Sequence, residues 1–157
     1  FPFIVVSPQL SDRAWTWGEV SDELFALLDE LEATLAVDPR RVSVTGLSLG
    51  GSGTWRMGLE QPGRFAALVP IAGYSPETNA AIPETLCDLR DVPIWTFHGA
   101  HDDAVPVAAA DAMMQALEAC EGSGFYTVYD DADHEQTWRR AYADPALTEW
   151  LVEQVQE

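Results

Sequence analysis

Val42-Ser43-Val44-Thr45-Gly46-Leu47-Ser48-Leu49-Gly50-Gly51 is the stretch on which the reading of this chain turns. Val42 to Thr45 reads as a short strand, and Gly50 to about Gln61 as a helix that ends near Pro62-Gly63. Between them lies Gly-x-Ser-x-Gly, in the strand-to-helix setting that a nucleophile elbow requires. The glycines have a physical purpose. A serine on so tight a turn needs neighbours nearly free of side chains, and the turn then lifts Oγ clear of the sheet. The helix that follows aims its unpaired N–H groups and positive dipole end at the same point, where a developing oxyanion could be held. Ser48 is therefore the candidate nucleophile and the Leu49 N–H the candidate oxyanion donor. Gly51 would let the helix approach the sheet. The competing reading is a serine that simply caps the helix.

Working outward, strands and helices alternate without an internal repeat. Phe3 to Ser7 is an apolar run expected to form a first buried strand. Thr16-Trp17-Gly18-Glu19 has capping-box spacing, and Val20, Leu24, Leu27, Leu28, Leu31 and Leu35 follow at helical intervals to about Ala36. Further strands are expected at Ala66–Ala72, Val92–Phe97 and Phe125–Tyr129. Helices are expected at Val107–Glu121 and after Asp144-Pro145, with loop and one short helix over Ser75–Arg90. The pattern predicts an α/β fold, with a mostly parallel sheet of about five strands between helices in three layers. Reactive groups then gather at the carboxyl ends of the strands.

An activated serine needs a base, and the chain has three histidines. Only His134, just past the fifth predicted strand, leaves room for an acid between itself and Ser48, as the order Ser, acid, His requires. That acid should also follow a strand end, which leaves Asp102 or Asp103. Its carboxylate would fix the His134 tautomer and stabilise the imidazolium. His98 is expected to make a loop-fixing hydrogen bond and His101 to be solvated. His98, His101, Asp102, Asp103 and His134 show no metal-ligand spacing, so neither metal nor cofactor is expected.

Composition narrows the partners. The 157 residues suit one domain, and 47% of them are hydrophobic. Eight arginines, no lysine and 26 Asp plus Glu give a net charge of −18, which disfavours nucleic acid and anionic membranes. An acidic surface without lysine also suits high salt, where mutual repulsion is screened. The N-terminus has neither the basic region nor the cleavage site of a signal peptide, so a soluble protein, cytoplasmic or already processed, is expected. Cys87 and Cys120 match no redox or zinc spacing and are expected to be two small, half-buried thiols.

Five segments carry a resemblance: Phe3 to Gln9, Asp38 to Val42, Thr45 to Gly51, Phe97 to Pro106, and Trp138 to Trp150 with Tyr142, Asp144 and Pro145. In that order they resemble the α/β-hydrolase superfamily, and more narrowly the carboxylesterases and peptidases related to dienelactone hydrolases and polyhydroxybutyrate depolymerases. In that pattern the catalytic acid precedes Val105-Pro106 by the offset Asp102 occupies, so the resemblance favours Asp102 over Asp103. Trp138 stands four residues after His134, where relatives place the tryptophan three after. The resemblance further implies one minimal domain, residues 1–157, without the usual first strands. It would then lack the His-Gly loop that supplies a second oxyanion N–H, for which Gln9 and Leu10 are the proposed substitutes.

The function expected is hydrolysis of short-chain or small aryl carboxylic esters through an acyl-enzyme. A peptidase or amidase on the same residues, or a weak hydrolase-like binding scaffold, are the alternatives. Gln9, Leu10, Trp15, Trp17 and Trp138 are expected to line the substrate site, since aromatic walls suit small acyl or aryl groups. With its crossovers all stepping one way, the sheet should carry most helices on one face, and its open edge favours a homodimer or larger homo-oligomer through Phe1 to Phe3.

Overall fold

A computed structural model describes residues 2–10, 14–77 and 81–156. The sheet has four parallel strands, β1 (Ser43–Leu47), β2 (Ala67–Ile71), β3 (Ile94–Gly99) and β4 (Gly124–Tyr129), in that spatial order. Among the described residues five α-helices accompany them: α1 (Ser21–Thr34), α2 (Leu49–Glu60), α3 (Ala108–Ala119), α4 (His134–Ala143) and α5 (Pro145–Glu153). Single 3-10 turns precede α1 at Trp17–Val20 and β3 at Leu86–Leu89. Among the described residues no helix is long and apolar enough to cross a membrane.

Alternation along the strands sorts the core into two layers. Leu68 and Ile94 face Phe25 of α1, Trp55 of α2, and Met113 and Leu117 of α3. Val69, Ile71 and Phe97 face Ala141 of α4 and Leu147 of α5, with Trp95, Trp138 and Trp150 packed around them. Leu68, Val69, Ile71 and Phe97 have no exposed surface. Burial of each such side chain contributes about 1.5–3 kcal/mol. The connections from β1 to β2 to β3 to β4 step one way across the sheet, so α1 to α3 share one layer and the C-terminal pair α4 and α5 forms the other.

Two expectations are corrected. Phe3 to Ser7 forms no strand, and Ile4, Val5 and Val6 are 61%, 66% and 45% exposed. An apolar run shows that a segment can pair, not that it enters the sheet. The sheet therefore has four strands among the described residues, and β1 stands at its edge. Its residues Ser43, Thr45 and Leu47 are exposed alternately with half-buried Val44 and Gly46. Phe1, part of the expected dimer contact, lies outside the described residues. Second, Cys87 and Cys120 are joined in a disulfide across a Cα–Cα distance of 5.2 Å. The sheet brings the turn at Leu86–Leu89 against the end of α3, a proximity that a spacing of 33 residues does not reveal.

Candidate active site

Ser48 links the end of β1 to the start of α2, with φ 55° and ψ −118°. That is backbone territory which side-chain-bearing residues rarely adopt, and it persists only where the surroundings enforce it. The Ser48 N–H donates to the Ile71 carbonyl at 2.9 Å, and its own carbonyl accepts the Ser52 N–H at 3.0 Å. A Cβ at Gly46 would run into the Gly50 carbonyl, which is why the turn needs glycine there. A Cβ at Gly51 would stand 2.8 Å from the Ile71 carbonyl oxygen and 2.9 Å from Gly73 Cα. The first turn of α2 thus rests backbone to backbone on the end of β2. Leu49 is the first residue of α2, so its N–H has no acceptor within the helix and lies at the positive dipole end.

Asp102 sits in the loop after β3 and is buried, whereas Asp103 is exposed. Asp102 Oδ1 accepts the N–H groups of Ala104 (3.0 Å) and Val105 (2.8 Å). Asp102 Oδ2 lies 2.6 Å from His134 Nδ1. His134 is the first residue of α4 because Asp133 caps that helix: Asp133 accepts the Gln136 N–H at 2.8 Å, and Gln136 Oε1 accepts the Asp133 N–H at 3.1 Å. Two backbone bonds, Ala100 N–H to Tyr129 O and His101 N–H to Ala132 O, both 3.0 Å, tie the loop after β3 to the loop after β4. A Cβ at Gly99 would strike the Ala132 carbonyl and Thr137 Oγ1, so this close approach needs glycine. The fold therefore brings Asp102 and His134 together. Among the hydrogen bonds of the described residues, none joins the Ser48 hydroxyl to His134, a contact of the kind that tightens in substrate complexes.

The other predicted residues are scattered. Gln9 is exposed and Leu10 half-buried in the irregular stretch 2–10, and Trp15 is 84% exposed. Trp138 is half-buried against the core layer under α4, with the Arg139 guanidinium 4.8 Å above its ring. Trp17 lies beside the elbow helix, lining a cleft of about 50 Å³ with Leu49, Ser52, Gly53, Arg56 and Tyr74. Arg56, one of the lining residues, donates to the Pro76 carbonyl at 3.2 Å and pairs with Glu77 at 3.6 Å. Sequence reasoning missed Ser52, Gly53, Arg56 and Tyr74. The first three follow Leu49 at helical intervals of three, four and seven, a signal that was available. His98 is fully buried, with Nε2 2.8 Å from the Val105 carbonyl, and His101 is exposed. Among the described residues no group of three or more His, Cys, Asp and Glu side chains is placed to hold a metal ion.

A parallel sheet between two helical layers, with a serine on a strained strand-to-helix turn, defines an α/β-hydrolase fold. Solved structures agree: a thermostable esterase superposes on 87% of this chain and 37% of its own, with a TM-score of 0.77 and 30% identity. Arabidopsis thaliana SOBER1, carrying the F65L change, superposes on 92% of this chain and 68% of its own, with a TM-score of 0.69 at 21% identity. The chain belongs to the dienelactone hydrolase family, whose model matches residues 8–149. It is 27% identical over 139 residues to a "Putative carboxymethylenebutenolidase" of Methylorubrum extorquens, a match over 85% of this chain and 48% of that protein. The chain thus spans about half the length of that relative.

Proposed function

We propose that this chain is a serine carboxylic ester hydrolase, acting on esters of small acyl groups. The observation that carries the reading is the 2.6 Å contact between Asp102 Oδ2 and His134 Nδ1. It leaves His134 Nε2 as the basic ring nitrogen, since Nδ1 faces a carboxylate and must carry the hydrogen. In the proposed cycle Nε2 takes the Ser48 hydroxyl proton as Oγ attacks the ester carbonyl. The Leu49 N–H stabilises the oxyanion, and Asp102 stabilises the imidazolium. His134 then passes the proton to the leaving alcohol, giving an acyl-Ser48 ester. A water molecule, deprotonated by His134, attacks that ester, and His134 returns the proton to Ser48 Oγ as the acyl–Oγ bond breaks and the acid leaves. The cleft beside Leu49, walled by Trp17 and Tyr74, supports small acyl groups, which aromatic walls suit. The esterase among the similar structures supports the same class of reaction.

The test is hydrolysis of 4-nitrophenyl acetate and butyrate by purified protein beside Ser48→Ala, with the matching anilide as a peptidase control. Turnover of the acetate that falls to background in the alanine variant is expected. Equal rates from both proteins would sink the reading, and a preference for the anilide would move it to an amidase.

A further inference from the structure

We infer that His98 is a positioning residue for Asp102, its ring N–H holding the carboxylate and the Val105 turn in the arrangement that orients His134. This rests on the reading of Asp102 and His134 given above. His98 lies near the end of β3, on the same strand face as Thr96, and has no exposed surface. Its Nε2 is 2.8 Å from the Val105 carbonyl oxygen and 3.4 Å from Asp102 Oδ2. Both neighbours are acceptors, so Nε2 carries the hydrogen. Its Nδ1 is buried and has no hydrogen-bond partner among the described residues, as suits the bare nitrogen of that tautomer.

The consequence is a double grip. Val105 is held at both ends, its carbonyl accepting from His98 and its N–H donating 2.8 Å to Asp102 Oδ1. The same ring N–H leans toward Oδ2, the oxygen that receives His134. In a site with no exposed carboxylate surface, such a dipole acts with little solvent screening. One ring therefore acts on the Asp102 carboxylate at both oxygens, by its nearby N–H dipole at Oδ2 and through the Val105 backbone at Oδ1. A histidine that only tied down a loop would need the carbonyl contact alone.

Two polar replacements separate donation from filling of space. In His98→Gln the amide nitrogen reaches about as far as Nε2, whereas in His98→Asn it stops at the level of Nδ1, short of both acceptors. The Gln variant is expected to keep near wild-type kcat. The Asn variant is expected to lose about 10-fold in kcat, the upper range for a lost hydrogen bond between neutral groups, with KM unchanged. A second readout needs no turnover: the downfield proton NMR signal of His134 Nδ1, identified by its loss in Asp102→Ala, should persist in the Gln variant and move or broaden in the Asn variant. Equal behaviour of the two variants, whether both wild-type or both impaired, would overturn the inference. Should Ser48→Ala retain the wild-type rate, it is the hydrolase reading that fails, and the NMR comparison alone then decides the grip on Asp102.

Discussion

Asp102 Oδ2 and His134 Nδ1 meet at 2.6 Å although 32 residues separate them along the chain. Asp103, next door, is exposed. The difference arises because Asp102 turns back to accept the Ala104 and Val105 N–H groups, which points its second oxygen at α4. Asp102→Asn is expected to lower kcat by roughly 10³- to 10⁴-fold by imposing the wrong histidine tautomer. Asp103→Asn should leave kcat unchanged. Steady-state kinetics on 4-nitrophenyl acetate checks both, and a larger loss in the Asp103 variant would reverse the assignment.

Gly50 and Gly51 are neighbours with opposite constraints. A Cβ at Gly50 meets nothing within 4 Å, while one at Gly51 meets the Ile71 carbonyl oxygen at 2.8 Å. Gly51→Ala is expected to destabilise by about 1–3 kcal/mol, the usual cost of forcing atoms into a packed contact. Gly50→Ala should be neutral or stabilising by up to about 1 kcal/mol, since alanine favours a helix over glycine. Thermal melts of the two variants give the comparison, and a Gly51→Ala protein as stable as wild type would contradict it.

The Cys87–Cys120 bond closes a loop of 33 residues that includes β3, Asp102 and α3. Loop-closure entropy gives it about 3–4 kcal/mol of stabilisation. Reduction, or the double change Cys87→Ser and Cys120→Ser, should lower Tm clearly, and thiol titration of the denatured protein should find free sulfhydryls only after reduction. A Tm indifferent to reductant would show that the bond adds nothing to stability.

Burial raises the Tyr126 phenol above its ordinary range, and the 2.8 Å hydrogen bond to Asp111 raises it further. A group whose proton is held more tightly in the folded state gives its full stabilisation below its unfolded value. That stabilisation is lost as pH rises toward the folded one. Urea midpoints should therefore hold to about pH 10 and fall beyond it. Tyr126→Phe should flatten that alkaline decline, and a slope identical to wild type would exclude Tyr126 as its source.

Much was legible in the sequence because it is local. The glycines around Ser48 encode a turn through contacts within four residues. The strands from Val42 onward and the helices between them follow from periodicity. Asp144, standing before Pro145, announces the helix it caps, whereas the helix that Asp133 caps was not among the expected elements. What depended on distant segments was not legible. No window of sequence shows that Ile4 to Val6 stay outside the sheet, that Cys87 meets Cys120, or that Trp138 packs into the core layer. An acid after the fourth predicted strand was expected to meet His134 from chain order, but the 2.6 Å contact and the place of His98 between Asp102 and Val105 exist only once β3 and β4 lie in register. Turn chemistry and periodicity are properties of a few adjacent residues. Pairing across the sheet is decided by which surfaces the whole chain can bury together.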